Sequence, residues 1–453
     1  MIELEKRGIP TSSWVDSGFV EDAKMSAMVF GAKEGTTLAL LPGPSALTPP
    51  EKLREQVSEV IDKVIENLTT PSGFDKMKAT ELKSRETAET IIIEGSDQID
   101  ATDKMIRRFL DEGWSDGFPL VPPTHQAVET MLEGTRLKRD YVVSILEPGF
   151  GIATVEKIAI NAVMAGCRPE HLPVVIAAVR CIGDPRMFLR TNAMSTGANA
   201  PVMIINGPIA KKLKINSKTC AISPGSCSYT NMVIGRALRL IIMNIGHAYC
   251  GSMCMSTIGS PLNISCCCAE NEEDSPWEPY HVEKGFDKDA STVTVMWVYN
   301  MISIMDMQSF TAEDLAWGYA KLVAQPDMIT GRWLIGHIKN PLDPTKRMKN
   351  KHLMLLCPGH AKILANEGWT RDTLRQYLFE HAKLDFEMLM TGKEIKGIEN
   401  TFPQLMGLKN HPEVKLPVVD RPDCFEIAVV GGPGTGSWYF VGSREPLTVP
   451  IEE

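Results

Sequence analysis

The amino-acid sequence predicts an α/β protein in which a small N-terminal unit with a parallel sheet precedes a larger α/β or α+β domain. In the first 70 residues, short strand-like runs alternate with helical patterns, which is typical of a small parallel sheet. Further along, apolar helical segments from residue 154 onward are followed by a strand-like run at 292–299. The chain has 453 residues, 43% of them hydrophobic, and can bury a large core in two or three domains.

The N-terminal unit contains two strand candidates and one long amphipathic helix. The strands are expected at residues 9–14 and 36–41. Thr48 is suited to cap the following helix, and Pro49 suits its first turn. One apolar stripe then follows at helical spacing, formed by Leu53, Val57, Val60, Ile61, Val64, Ile65 and Leu68. We expect this stripe to pack in the core of the unit.

Composition divides the chain into four segments. Residues 1–70 form the N-terminal unit, and residues 71–96 are polar and poor in large apolar groups, which indicates a linker. Residues 97–300 form the main cysteine-rich α/β domain. Residues 301–453 are expected to supply helices and C-terminal strands that pack on that domain.

Capping signals mark several helices of the larger domain. The run 155–165 lies between Thr154, a cap, and Gly166, a stop signal, and a second helix is expected at 169–182. After Cys357 the pattern predicts a helix, a turn and a second helix capped by Thr370. Because the protein is acidic, we interpret this pair as structural and not as a DNA-binding motif.

Charge and composition exclude several classes of protein. A net charge of −9 and a pI near 5.6 argue against a nucleic-acid partner. The sequence has no apolar run long enough for a membrane span, and its first residues lack the apolar core of a signal peptide. Eleven cysteines, an odd and clustered number, suit reduced thiols. We therefore expect a cytoplasmic protein without a membrane or nucleic-acid partner.

The stretch 220–274 concentrates the chemistry of the chain. It holds seven of the eleven cysteines, an apolar helical segment at 232–245 and an acidic run at 270–274. The seven are Cys220, Cys227, Cys250, Cys254, Cys266, Cys267 and Cys268. The helix would hold two groups of cysteines in a defined relation to each other.

One hypothesis makes a cysteine of this stretch the reactive group. Cys227 precedes the helical segment, and a helix N-terminus lowers the pKa of a thiol by stabilising the thiolate. Glu270 follows a strand-like run that contains Cys267, so its carboxylate is a candidate general acid or base. The predicted catalytic residues are therefore Cys227, Cys267 and Glu270. The alternative for each cysteine is a small core residue.

A second hypothesis places a metal in the same stretch. His247, Cys250 and Cys254 are spaced three and four residues apart and share a face of a continuing helix. One of the cysteines at 266–268 would complete a tetrahedral zinc or iron–sulfur site. Such a site would support a metal-dependent lyase or hydratase.

The walls of the site are expected to come from other parts of the chain. Asn161 lies near a helix–helix turn, and Arg236 is a cation that would favour a thiolate. The run 427–437 is a strand that enters a glycine-rich turn, whose backbone N–H groups can bind an anion, with a tight hairpin as the alternative. The predicted contacts from this turn are Gly432, Gly434 and Gly436. The loop 113–123, rich in proline and glycine, would border the opening.

The opening residues resemble a known family. Residues 2–11, IELEKRGIPT, together with the segment that ends at Leu68 and Thr69, are similar to the UGSC selenoprotein family, named for a Sec-Gly-Ser-Cys stretch. Further likeness to long members of that family covers most of residues 100–300. It includes NGPIA at 206–210, GRALRL at 235–240, AENEE at 269–273 and SPWEP at 275–279.

The resemblance implies thiol or selenol redox chemistry. The chain itself has no Sec-Gly-Ser-Cys stretch at the corresponding place. We therefore expect an oxidoreductase that acts on a small molecule through thiol chemistry, with a second subunit carrying the motif as a possible partner and an oligomeric assembly. A subunit without catalytic activity that binds such a partner is the alternative of a different class.

Overall fold

The computed structural model describes residues 2–5, 7–20, 23–24, 37–43, 45, 48–70, 90–251, 253–324, 351–385 and 415–452. Helices and strands both contribute to the described part, and the strands form a small parallel sheet and a larger mixed sheet. The protein therefore has the predicted α/β class. Most of the predicted linker, residues 71–89, lies outside the described residues.

The N-terminal unit is built around a two-stranded parallel sheet. Helix α1 (Ile2–Glu5) precedes strands β1 (Ser13–Val15) and β2 (Leu38–Leu40), which pair in parallel as predicted. Helix α2 (Pro50–Thr69) follows, with Pro49 at its N-cap and no side-chain cap, so the predicted cap at Thr48 is wrong. The helix begins two residues after Thr48. Its first residue is Pro50, a residue type that suits this position, and the start lies one position later than predicted.

The predicted apolar stripe of α2 is only partly covered. Val64 is buried against the unit, whereas Ile61, Ile65 and Leu68 are 41–53% exposed. The prediction of a helix was correct in this segment, but the expectation that its whole stripe lies in a core was wrong.

The described residues from 98 to 212 include six helices and the paired strands β3 and β4. Strands β3 and β4 pair antiparallel beside them. The bounds are α3 (Gln98–Asp111), α4 (His125–Leu132), β3 (Val142–Leu146), β4 (Gly151–Thr154), α5 (Val155–Ala165), α6 (Leu172–Gly183), α7 (Leu189–Ala193) and, after β5, α8 (Pro208–Lys212).

Among the described residues, the central sheet contains seven strands from both halves of the larger unit. The order is β11-β8-β12-β7-β5-β6, and β13 pairs with β7. The strands of the 301–453 segment therefore share one sheet with those of the 97–300 segment. Their bounds are β5 (Ala200–Asn206), β6 (Cys267–Ala269), β7 (Thr292–Met305), β8 (His352–Leu356), β11 (Phe425–Val429), β12 (Gly436–Gly442) and β13 (Leu447–Pro450).

The remaining elements flank this sheet. They are α9 (Tyr229–Asn244), α10 (Tyr280–Glu283), α11 (Ala312–Val323), α12 (Pro358–Asn366), α13 (Arg371–His381) and the antiparallel pair β9 (Lys383–Asp385) and β10 (Lys415–Pro417). The predicted helix at 232–245, the strand at 292–299 and the helix pair after Cys357 are confirmed by α9, β7 and the pair α12–α13.

The sheet curls until its two edge strands meet. The backbone N–H of Asn271, just after β6, donates to the carbonyl of Val429 in β11 at 2.7 Å. One face of six strands forms a single buried cluster, which includes Val202, Cys268, Met296, Leu355, Ala428 and Phe440. Since these residues come from β5, β6, β7, β8, β11 and β12, the inner face of the curled sheet encloses its own core.

The outer face of the sheet packs against helices on two sides. One cluster joins β5 and β7 to α5, α6 and α9, and it contains Ile158, Val175, Ile205 and Ile241. The other joins β8 and β11 to α11, α12 and α13, and it contains Leu315, Leu364, Leu374 and Ile427. Among the described residues, no helix combines the length and the apolar character needed to cross a membrane.

Two predicted caps in the larger unit are confirmed. The Thr154 hydroxyl accepts from the Lys157 N–H, and Gly166 ends α5 with φ of 90°. The Thr370 hydroxyl accepts from the Thr373 N–H at the start of α13. These caps were predicted from neighbouring residues alone, because a cap needs only groups within one turn.

Candidate functional site

The cysteines predicted to react lie in very different surroundings. Cys227 is exposed in a short 3-10 turn, Ser226–Ser228, immediately before α9, where the sequence placed it. Cys267 lies in β6 and is 1% exposed, and burial raises the pKa of its thiol. A thiol that stays protonated is a poor nucleophile. The structure therefore makes Cys267 a core residue and does not support its predicted catalytic role.

Glu270 is a buried structural carboxylate. It accepts hydrogen bonds from Asn206 Nδ2 at 2.5 Å, from the Tyr280 N–H at 2.6 Å and from Arg371 Nη2 at 3.0 Å. Burial raises its pKa to about 7, although Arg371 and these donors act in the opposite direction. These contacts join the ends of β5 and β6 to α10 and α13. They account for both carboxylate oxygens, so the predicted pairing of Glu270 with Cys227 or Cys267 is not found.

The guanidinium group of Arg236 binds residues of the loop 113–123. Its Nε and Nη2 donate to the two carboxylate oxygens of Asp116 at 2.6 and 2.9 Å, and Nη2 also donates to the Pro119 carbonyl at 2.9 Å. The side chain thus holds the loop 113–123 against α9. The predicted role of Arg236 at a thiolate or a substrate is not supported, because its Nε and Nη2 groups are already bound within the protein.

The proposed metal ligands do not converge on one point. His247 has φ of 59° and its ring contacts Tyr249, with 5.8 Å between ring centroids. Across the described ranges, no three His, Cys, Asp or Glu side chains are arranged to hold a metal ion. The predicted set of His247, Cys250 and Cys254 therefore lacks the geometry for zinc or an iron–sulfur cluster, because α9 ends at Asn244 and does not place them on one helical face.

Cys250 and Cys254 nevertheless form a close pair of thiols. Their backbones are joined in an isolated β-bridge, and each thiol shifts the pKa of the other. Bridged residues lie about 5 Å apart, within the roughly 4.4–6.8 Å between Cα atoms that a disulfide needs. Arg239 of α9 donates from Nη2 to Cys250 Sγ at 3.5 Å. The pair is thus placed to form a disulfide.

The two thiols of this pair differ in acidity. The neighbouring thiol of Cys250 is the main reason that the pKa of Cys254 falls to about 5, despite its partial burial, and the Ser256 backbone and Arg239 also lower it. Cys254 and burial together raise the pKa of Cys250, which keeps its proton. At neutral pH the pair therefore holds one thiolate on Cys254 and one thiol on Cys250. Cys250 is exposed and Cys254 is half-buried, so solvent reaches the pair.

A second thiol of unusual acidity lies at Cys357. It is the N-cap of α12, directly after β8, and it is 3% exposed. Burial raises the pKa of Cys357, but the side chain and backbone of His360 and the Ser437 hydroxyl overcome this and bring it below its ordinary value. Cys357 in turn raises the pKa of His360 against the effect of burial. The two residues form a thiol–imidazole pair.

The imidazole of His360 is held from both sides. Its Nε2 lies 3.0 Å from the Asp306 carbonyl, which can only accept, so Nε2 carries a proton. Its Nδ1 lies 2.6 Å from the Tyr319 hydroxyl and 2.9 Å from Ser437 Oγ. These partners come from the ends of β7 and β12 and from α11, so three elements fix the orientation of the ring.

The glycine-rich turn between β11 and β12 covers this second pair. Cys357 Sγ donates to the Gly434 carbonyl at 3.2 Å, and the Gly431 N–H donates to the Ser217 carbonyl at 2.8 Å. A side chain at Gly432 would collide with Thr219. The predicted contacts Gly432, Gly434 and Gly436 thus lie near both Cys357 and the loop that leads to Cys227. The hairpin alternative is wrong, since β8 lies between β11 and β12.

Asn161 lies apart from these thiols, on the wall of a cavity. It accepts a hydrogen bond from Asn244 Nδ2 at 2.8 Å, and both residues line a cavity of about 670 Å³. The sequence pointed to Asn161 but not to Asn244, which ends an apolar helix and carries no motif of its own.

The Cys357–His360 pair was also missed from the sequence. The available signal was Cys-Pro-Gly-His at the junction of a strand and a helix, which we interpreted only as a helix start. A histidine three residues after an N-cap cysteine lies on the same side of the first turn. The groups that orient the ring are 41 to 77 residues away, and no local pattern indicates them.

Comparison with known proteins identifies one segment. Residues 1–70 match the model of the UGSC family, which confirms the resemblance predicted for that segment. Searches of the curated proteins and of the solved structures found no match. The likeness of residues 100–300 to long members of that family therefore stays a prediction, and the chemistry of the larger unit has to be argued from its geometry.

Proposed function

We propose that this chain, with its UGSC-family segment, is an enzyme that acts on a small molecule by thiol redox chemistry. The observation that carries the proposal is the pair Cys250 and Cys254, joined by a backbone bridge and lying beside Arg239. Vicinal thiols of which one is a thiolate at neutral pH are the working parts of a dithiol–disulfide couple. The match of residues 1–70 to a family named for a Sec-Gly-Ser-Cys redox stretch supports the same class.

The reaction of the pair with a small disulfide is balanced as follows. The Cys254 thiolate attacks one sulfur of the disulfide, forms a mixed disulfide and expels one thiolate, which takes up a proton. Cys250 then loses its proton and attacks Cys254 Sγ, which expels the second thiolate. The products are one protein disulfide and two small thiols. Arg239, at 3.5 Å from Cys250 Sγ, stabilises the Cys250 thiolate in the second step.

The small disulfide is the oxidant in this scheme, and a thiol or selenol regenerates the dithiol. A second subunit that carries the Sec-Gly-Ser-Cys stretch is our proposal for that reductant, and an assembly of several subunits would bring the two together. All eleven cysteines are free in the structure. We propose a cytoplasmic location, where such thiols stay reduced.

The test equilibrates the protein with mixtures of reduced and oxidised glutathione and then traps its thiols with acid. We expect peptide mass spectrometry to find one disulfide, between Cys250 and Cys254, with a defined midpoint in the glutathione ratio. Cys220→Ser, which changes another exposed thiol, should leave that midpoint unchanged. A chain in which Cys250 and Cys254 stay reduced at every ratio, or pair with other cysteines, would contradict the proposal.

The Cys357–His360 pair favours a second candidate function. A cysteine activated by a nearby imidazole at a helix N-terminus is the nucleophile of covalent thiol catalysis, in which no net oxidation occurs. In that case Cys357 would attack an electrophilic carbon, and His360 would protonate the leaving group. Once a turnover assay exists, Cys357→Ala and Cys254→Ala separate the two functions, because each removes one nucleophilic sulfur and leaves the other pair intact.

A further inference from the structure

A small polar cavity lies beside the pair of Cys250 and Cys254. It has a volume of about 10 Å³, which is room for one water-sized group. Its wall comes from α9, from the loop between α7 and β5 and from the loop that follows Cys254. The polar side chains of this wall are Ser195, Asn199, Arg239, Cys254, Ser256 and Asn263. The attacking cysteine of the proposed redox couple therefore borders a site for one small polar group.

Two serine hydroxyls of the wall have a proton to donate. Ser195 Oγ accepts from the Gly197 N–H at 3.0 Å, and Ser256 Oγ accepts from the Gly259 N–H at 3.1 Å. Among the described residues, neither hydroxyl donates to another protein group. Because a hydroxyl is both a donor and an acceptor, each O–H can be directed at an oxygen atom in the cavity.

Arg239 adds a positive charge to the same wall. Its Nη2 donates to Cys250 Sγ at 3.5 Å, and the charge also lowers the pKa of Cys254. A guanidinium carries five N–H donors, so the contact with Cys250 leaves others for a group in the cavity. A cation and two hydroxyls around a small cavity are suited to stabilise an oxygen atom that gains negative charge during a reaction.

We infer that hydrogen peroxide is a further oxidant of the pair of Cys250 and Cys254, and that the cavity receives its leaving oxygen. This inference rests on the proposed function, because it uses the same two thiols and the same thiol or selenol reductant. The size of the cavity selects the oxidant. Attack on a hydroperoxide expels the oxygen that bears the substituent, and the cavity has room for hydroxide but not for an alkoxide.

The reaction is balanced in two steps. The Cys254 thiolate attacks one oxygen of hydrogen peroxide, so that an S–O bond forms, the O–O bond breaks and hydroxide leaves, which takes a proton from solvent. The sulfur of Cys250 then attacks Cys254 Sγ, an S–S bond forms and the S–O bond breaks. The second hydroxide takes the proton of Cys250. The products are one protein disulfide and two water molecules, and the thiol or selenol reductant restores the dithiol.

Hydrogen peroxide and tert-butyl hydroperoxide are the two probes for this inference. Quantitative peptide mass spectrometry of the unaltered chain measures the loss of free thiol at Cys254 and at Cys220, an exposed cysteine that corrects for the intrinsic reactivity of each probe. We expect the ratio of the hydrogen peroxide rate to the tert-butyl hydroperoxide rate to be roughly 100-fold larger at Cys254, the usual effect of losing stabilisation of an oxyanion. Equal ratios at the two cysteines would overturn the inference.

Two neighbouring substitutions test the role of the cavity. Ser195→Leu fills it and removes a donor, so the rate of Cys254 with hydrogen peroxide should fall roughly 100-fold. Thr196→Leu, at an exposed position outside the wall, should retain the rate. Circular dichroism checks that both variants fold. An unchanged rate in a folded Ser195→Leu variant would overturn the role of the cavity, and the comparison of the two probes on the unaltered chain needs no variant.

Equilibration with glutathione separates this inference from the proposed function. A pair that forms its disulfide with glutathione, but shows the same ratio of peroxide rates at Cys254 as at Cys220, overturns the peroxide inference and leaves the proposed function in place. A pair that forms no disulfide with glutathione overturns the proposed function, and the inference with it.

Discussion

Two groups of cysteines within twenty residues of sequence have opposite chemistry. Cys250 and Cys254 are accessible, and the pKa of Cys254 falls to about 5, so Cys254 is a thiolate at neutral pH. The consecutive cysteines 266–268 are all at most 3% exposed, and burial raises the pKa of each thiol, to about 12 for Cys266. Cysteines that are close together in the sequence therefore differ in reactivity, because the environment of each thiol decides its pKa and its access to solvent.

The difference has a structural cause. Cys266 and Cys268 point into the core of the curled sheet, and Cys267 points outward into the layer of helices. Alternation along Cys266 and the first two residues of β6 buries all three, because both faces of the sheet are covered here. The loop after α9 has no such cover, and there a neighbouring thiol and a cation act on Cys254 instead.

The largest expected effect is on the rate of alkylation. With limiting iodoacetamide at pH 7, Cys254 should react at least roughly 1,000-fold faster than Cys267, because only Cys254 is a thiolate. Quantitative peptide mass spectrometry of the native protein measures both rates. The same digest after unfolding is the control, in which the two rates should become similar. Comparable alkylation rates for Cys254 and Cys267 in the native protein would contradict the claim that the two groups of cysteines differ in reactivity.

Disulfide exchange should depend on the accessible pair alone. Cys254→Ala is expected to lower the rate at which the protein reduces glutathione disulfide by roughly 100-fold, because it removes the attacking thiolate. Cys220→Ala, at another exposed thiol, should retain the rate. The assay follows glutathione release under stopped-flow mixing. If the Cys220 variant lost as much activity as the Cys254 variant, the exchange would not belong to this pair.

The buried group should matter for stability. Cys267→Ser places a hydroxyl in the core and should lower the free energy of unfolding by about 1–3 kcal/mol. Cys227→Ser, at an exposed position, should change it by less than about 0.5 kcal/mol. Urea unfolding followed by circular dichroism measures both. A Cys267 variant as stable as the Cys227 variant would argue against a tightly packed β6.

The smallest expected effect concerns Arg239. Its removal in Arg239→Gln takes a positive charge from the thiolates, so the pKa of Cys254 should rise and its alkylation below pH 6 should slow roughly two- to fivefold. In the unaltered protein, the rate should fall as pH decreases through about 5, because the thiolate becomes protonated. Arg239→Lys keeps the charge and serves as the control. A pH profile identical in all three proteins would exclude an effect of this charge.

The sequence by itself determined the local elements of this protein. The helix α5 between Thr154 and Gly166, the cap at Thr370 and the parallel order of β1 and β2 follow from residues that are close together in the chain. The similarity of the first 70 residues to the UGSC family could be predicted too, since a resemblance in sequence needs no structure. Composition and alternation were enough for the α/β class, because strand and helix have different apolar periods.

Only the tertiary structure decided which side chains meet. Glu270 was expected beside a thiol but binds Arg371, 101 residues away, and Arg236 was expected at a thiolate but binds Asp116 across 120 residues. The unpaired oxygen of Asn244 and the orientation of His360 likewise depend on strands and loops distant in sequence. Burial and long-range hydrogen bonds decide whether each group is charged and which partners it contacts. Neither can be deduced from the residues next to that group in the sequence.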